Sequence, residues 1–196
     1  HHCLPNYPNG FCLLANIAIA IDSAISENLG KKFCVIDWDV HHGNGTEAIF
    51  YDRDDVLTIS IHQERNYPVD TGMETDKGKG EGLGYNVNLP LPAGSGHNTY
   101  LNLFDRVISP LVSNYRPDII IVACGFDAAM IDPTSSMLCS AETFRVLTRK
   151  AQALADKNCG GKLSLIHEGG YSEVYVPFCG HAVLEELSGS KKIAPD

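Results

Sequence analysis

Apolar positions alternate between two periods along this chain. Phe33-Cys34-Val35-Ile36, Val56 to Ile61, Asp118 to Cys124 and Lys162 to Ile166 are short, β-branched or continuous apolar runs, which read as buried strands. Tyr85 to Leu89 adds a short strand closed by Pro90-Leu91-Pro92. Between them lie stretches with helical spacing. Phe11 to Glu27 carries Leu13, Leu14, Ile17, Ile21 and Ile25 nearly all round, which predicts a mostly buried helix stopped near Gly30. A short helix is predicted over Thr46 to Tyr51. A longer one, capped by Ser95, runs from about His97 to Tyr115, with Tyr100, Leu101, Phe104, Val107, Ile108 and Leu111 on one stripe. Ser140 caps a helix from Ala141 to about Lys157, and a last helix covers roughly Tyr175 to Leu187. Gln63 to Gly84 is a long charged loop, of a length that is usually functional or disordered.

Strand and helix alternate, so the pattern predicts an α/β fold with a parallel sheet between helical layers. In such sheets ligands sit beyond the carboxyl ends of the strands. Three polar segments lie there: Asp37-Trp38-Asp39-Val40-His41-His42-Gly43-Asn44-Gly45, Gly125-Phe126-Asp127 and Gly169-Gly170-Tyr171. Asp37, Asp39 and His41 recur at a spacing of two, which on a strand places them on one face. Carboxylates ending an apolar strand are costly unless a charge compensates them. A solvated polar turn is one way out; a bound cation is the other. Asp39, His41 and Asp127 offer two carboxylates and an imidazole, enough for a divalent metal with one coordination position left open. Such a metal lowers the pKa of a water and polarises a carbonyl.

The 196 residues suit one domain, here taken as 1–196. A net charge of −9 argues against direct nucleic-acid binding. Seven scattered cysteines without a C-x-x-C pair read as buried thiols in a reducing, cytoplasmic setting, nuclear if the source is eukaryotic. No apolar run is long enough to span a bilayer as a helix, so no membrane association is expected. The opening His1-His2, without Met, is read as a fragment, a processed product or the end of a tag.

Four motifs in order carry a resemblance: His1-His2 followed by Asn9-Gly10-Phe11-Cys12, the Asp37-to-Thr46 segment, Gly125-Phe126-Asp127-Ala128, and Glu168-Gly169-Gly170-Tyr171-Ser172. From His1 to about Gly189 the chain resembles the zinc-dependent histone deacetylases, most closely the class-II-like branch with its bacterial histone-deacetylase-like amidohydrolases and acetylpolyamine relatives. The resemblance implies a three-layer αβα fold of arginase/deacetylase type, with the part of the family domain that precedes the tandem histidines missing. It implies one catalytic zinc on Asp39, His41 and Asp127. His2 would be the general base, His1 its electrostatic partner oriented by Asp37, and Tyr171 the oxyanion donor. Gly10, Phe11, Tyr67 and Phe126 would line a channel for the acyl-lysine side chain, although a core aromatic and a loop anchor are equally simple readings of Phe11 and Tyr67. A potassium ion would lie among Asp37, Asp39, His41, Ser60 and Ile61.

The implied activity is hydrolysis of acetyl-lysine in histones or other proteins. Acetylated polyamines or other small acylamides are the alternative substrates, a non-catalytic acetyl-lysine-binding fragment is a second alternative, and a di-metal arginase-like hydrolase a third. Asn44 stands where the other main branch has an aspartate, and Thr134 follows Asp132-Pro133 where polyamine enzymes place an acid. Glu64, Asp70 or Glu74 in the long loop are the other candidate sources of acidity. The expected partners are acetylated peptides or amines, and a homo-oligomer is compatible with the chain.

Overall fold

Five strands lie side by side in the order β3-β2-β1-β4-β5, all parallel. They are β1 (Phe33–Asp37), β2 (Val56–Gln63), β3 (Asn86–Leu91), β4 (Ile119–Cys124) and β5 (Leu163–His167). The structure, a computed structural model, describes residues 1–193. The helices are α1 (Asn16–Ser26), α2 (Asn44–Phe50), α3 (His97–Leu103), α4 (Ser109–Tyr115), α5 (Ala141–Cys159) and α6 (Val176–Ser188).

Each strand sends alternate side chains to opposite faces, and the core divides accordingly. Cys34, Ile36, Ile59, Ile120 and Val122 face α3 to α6 and pack with Tyr100, Phe104, Phe144, Leu147 and Cys179. Phe33, Val35, Val56 and Ile121 face the other way, against Ile17 and Ile21 of α1 and Phe50 of α2. The result is the expected three-layer αβα sandwich. The central strand β1 is buried along its whole length, as its unbroken apolar run requires.

Several boundaries differ from the sequence pattern. The first helix begins at Asn16, not Phe11, and buries only Ile17, Ala18 and Ile21. Phe11, Leu13 and Leu14 are exposed, because Asn9 and Cys12 bridge each other in a turn and take those residues out of helical conformation. Strand β1 ends at Asp37, so Asp39 and His41 lie in irregular backbone past the strand rather than on its face. Gly96, not Ser95, occupies the N-cap of α3. The stripe expected from His97 to Tyr115 holds, but a π-helical turn over Phe104–Ile108 joins α3 to α4. α5 starts after Ser140, whose backbone N–H is accepted by the Thr143 hydroxyl at 3.0 Å.

All seven cysteines are free, five of them buried. Among the described residues no helix is long and apolar enough to cross a membrane.

Candidate metal centre and pocket

The register of the sheet sets the carboxyl ends of β1, β4 and β5 beside one another. Asp37 pairs with Ala123, and Cys124 with His167. The three polar segments that follow these strands therefore converge.

Asp39 and Asp127 are fully buried and His41 is nearly so. Their ligand atoms lie within 4.8 Å of one another, and among the described residues they form the one such group of three or more. Backbone amides hold each acid in place. Asp39 accepts from the N–H of His41 at 2.9 Å and of Gly169 at 2.8 Å, and Asp127 accepts from the N–H of Val40 at 2.8 Å. His41 Nδ1 bonds Asp39 Oδ1 at 3.1 Å and lies 3.0 Å from Asp127 Oδ2. Among the described residues that buried Asp127 oxygen receives no well-directed hydrogen bond, its near neighbour being the His41 ring, a cost that a cation would remove. Gly125 and Gly169 make room for these oxygens: a Cβ at 169 would overlap Asp127 Oδ2, and one at 125 would overlap Asp39 Oδ2. An orphaned carboxylate oxygen, two acids with one imidazole, and glycines where side chains would intrude fit a divalent metal.

The electrostatics agree. Burial pushes Asp127 up to about 7, helped by the charge of Asp39. Burial opposes the charge on His41, but the carboxylates of Asp127 and Asp39 outweigh it and raise the imidazole to about 9. The trio thus retains a proton that a metal would displace.

His41 lines a cavity of about 280 Å³, together with His2, Gly10, Phe11, Tyr67, Thr134 and Tyr171. The Tyr67 ring meets His2 edge-on at 5.1 Å and His41 at 6.1 Å, and its hydroxyl donates to Asn9. Phe11, with a left-handed φ of 64°, faces Tyr171 at 6.3 Å. Gly10, also left-handed, lies against the His2 ring, where any Cβ would overlap it. Phe126 was expected in this channel and is not there. It is buried in the helix-side core, because Phe144 of α5 and His167 at the end of β5 pack around its ring.

The tandem histidines have separate surroundings. Burial works against charge on His1, yet Asp37, 2.8 Å from its Nδ1, and Asp39 hold its pKa well above the ordinary imidazole value. Burial, reinforced by the neighbouring His1 charge, lowers His2 to about 3. His2 Nδ1 donates to Asn44 Oδ1 at 2.8 Å, which leaves Nε2 as the free acceptor. Asp37 and Ser60 stand opposite each other in adjacent strands.

Among the described residues, no carboxylate lines the 280 Å³ cavity. Glu64, Asp70 and Glu74 line a different one, with Met73 and Pro90. Periodicity carried no sign of the network that anchors the long loop: Glu47 accepts from Asn86 and Asn88 at 2.7 Å, and His42 bonds both Glu47 and Thr71.

Comparison with known proteins bears directly on this site. The model of the histone deacetylase domain matches residues 1–187. A histone deacetylase-like amidohydrolase of Pseudomonas aeruginosa is 47% identical over 196 residues, which is 100% of this chain and 52% of that protein. A probable deacetylase of Archaeoglobus fulgidus is 38% identical over 190 residues, 96% of this chain and 52% of that protein. Among solved structures, the HD domain of HDA15 superimposes with a TM-score of 0.90 at 36% identity, covering 100% of this chain and 54% of that one. The histone deacetylase Clr3 gives 0.85 at 33% identity, covering 92% of this chain and 31% of its own. The chain spans about half the length of the two curated relatives described.

Proposed function

This chain belongs to the histone deacetylase family, and from that premise we propose that it is the part of a zinc-dependent deacetylase that hydrolyses the amide of acetyl-lysine in peptides or proteins. One observation carries the reading: His2, His41 and Tyr171 line a single cavity, with Asp39 and Asp127 buried around His41.

A zinc ion held by Asp39, His41 and Asp127 would supply Lewis-acid polarisation of the substrate carbonyl and acidify a water. The residues of the chain do the rest. Phe11 and Tyr67 receive the aliphatic stem of the lysine. His2 starts neutral with Nε2 free, and takes the proton of the attacking water. The Tyr171 hydroxyl, whose pKa burial raises, stays protonated and donates to the oxygen that gains charge. His1, held charged by Asp37, adds positive charge beside the site where the carbonyl oxygen gains electron density, and the proton gathered by the histidine pair leaves with the lysine amine. A potassium ion beside Asp37 and Ser60 belongs to the same reading, supported by the pairing of those two residues across adjacent strands. Free thiols throughout support a cytoplasmic setting.

The cavity wall argues for acetyl-lysine over acetylated polyamines, because a second ammonium would find no carboxylate there. The test is zinc-dependent acetate release from an acetyl-lysine peptide and from an acetylated polyamine. Faster turnover of the peptide is expected. Peptide binding without acetate release would replace the reading with a binding module, and preference for the polyamine would replace the substrate.

A further inference from the structure

We propose that Asp132 is a positioning residue, whose single carboxylate clamps the loop carrying Tyr171 to the cavity wall at Thr134. The inference rests on the proposed role of Tyr171 and adds what holds that residue in place.

Asp132 is buried. Its Oδ2 accepts the backbone N–H of Tyr171 at 2.7 Å. Its Oδ1 accepts both the backbone N–H of Thr134 at 2.9 Å and the Thr134 hydroxyl at 2.6 Å. The carboxylate is itself seated, since the Asp132 N–H donates to the Ala129 carbonyl at 3.0 Å and the preceding Met130 N–H to Cys139 at 2.9 Å.

Tyr171 needs such an anchor. It follows Gly169 and Gly170, and Gly170 adopts φ 138°, a region few other residues enter. Among the described residues the bond to Asp132 is the one hydrogen bond Tyr171 makes; its phenolic oxygen has none. The ring is half-exposed and touches Phe11 and His41 only edge-on. The height of the hydroxyl over His41 is therefore set through the backbone. A misplacement of about 1 Å in such a group is enough to cost on the order of a hundredfold in rate.

The clamp also shapes the wall. The Thr134 hydroxyl hydrogen is committed to Asp132, so Thr134 offers a ligand neither charge nor a free donor. The two ends of one carboxylate thus set both the oxyanion donor and a neutral wall.

The experiment is a double-mutant cycle on the zinc-loaded chain, with acetyl-lysine peptide hydrolysis as one readout and hydrogen exchange of the Tyr171 amide as the other. Asp132→Ala is expected to lower kcat by about ten- to a hundredfold with KM little changed. In a Tyr171→Phe background it should lower kcat no further. Asp132→Asn keeps an oxygen for the Tyr171 N–H and should recover much of the loss, whereas Asp132→Leu, of similar volume but with no acceptor, carries the same cycle if the alanine variant does not fold. The Tyr171 amide should exchange at least about tenfold faster in Asp132→Ala than in the wild type, as loss of a net 1.4 kcal/mol bond implies. Equal losses in both backgrounds, or an unchanged exchange rate, overturn the clamp. Absence of hydrolysis in the wild type would overturn the proposed function instead, and amide exchange would still decide the clamp.

Discussion

Oδ1 of Asn44 lies 2.8 Å from Nδ1 of His2, and this contact decides which face of the imidazole takes a proton. An amide oxygen can only accept, so Nδ1 carries the hydrogen and Nε2 is left bare toward the cavity. The other histidine, His1, meets a full carboxylate at the same distance. Two adjacent residues of one type are driven to opposite protonation states, His2 by its burial and the charge of His1, and His1, against its burial, by Asp37 and Asp39.

Replacing Asn44 with Asp is expected to raise the His2 pKa from its value of about 3, because a negative acceptor favours the imidazolium. The acid limb of kcat/KM against pH should move upward, and activity near pH 6 should fall relative to pH 8. A pH profile that does not move would remove His2 from the role of base.

Tyr171→Phe removes a hydroxyl that makes no other hydrogen bond among the described residues. Its kcat should drop by about a hundred- to a thousandfold, the usual cost of one oxyanion donor. Zinc content, measured by mass spectrometry of the dialysed protein, should stay the same. Undiminished turnover would contradict the assignment.

Gly169→Ala should weaken metal binding. The added Cβ overlaps Asp127 Oδ2 and comes within 2.8 Å of Asp39 Oδ2, so both acids must move. Zinc affinity by chelator competition is expected to fall by about ten- to a hundredfold, the scale seen when groups supporting a metal site are disturbed. Wild-type affinity in this variant would mean that these acids do not hold the ion.

His62 predicts a pH dependence of stability. It is buried, with Nε2 donating to the Gly72 carbonyl at 2.9 Å and Nδ1 beside the Ser60 hydroxyl. Burial and the nearby His42 lower its pKa from 6.5 to about 4. Between those values the unfolded chain binds a proton that the folded chain refuses. Stability from this group is complete above pH 6.5 and is lost as pH falls toward 4, by on the order of 3 kcal/mol in total. Urea unfolding from pH 7 to 5 should show a slope that His62→Asn flattens. Parallel curves for the two proteins would mean that His62 titrates normally.

The strands and the ends where chemistry gathers were legible in the sequence for a simple reason. A buried strand needs an apolar run, and a carboxylate or histidine immediately past it is conspicuous. Asp37, Asp39, His41, Asp127 and Tyr171 all carry that local signature, and their order matches a known family. Other features have no local signature. Phe11 looked like the start of a buried helix, yet a turn between Asn9 and Cys12 leaves it exposed on the cavity rim. Phe126, one residue from a candidate ligand, belongs to the core, where its ring packs edge-on against Phe144.

The parallel sheet, the motif order and the choice of donor atoms were therefore determined by sequence alone, since periodicity and side-chain chemistry are properties of neighbouring residues. Only the tertiary structure decided that Gly169 leaves room for Asp127, that Asn44 reaches His2 and that Asp132 ties Tyr171 to Thr134. Those contacts join segments distant in the chain. They exist because β1, β4 and β5 lie side by side in one register, and strand adjacency is a long-range outcome of packing.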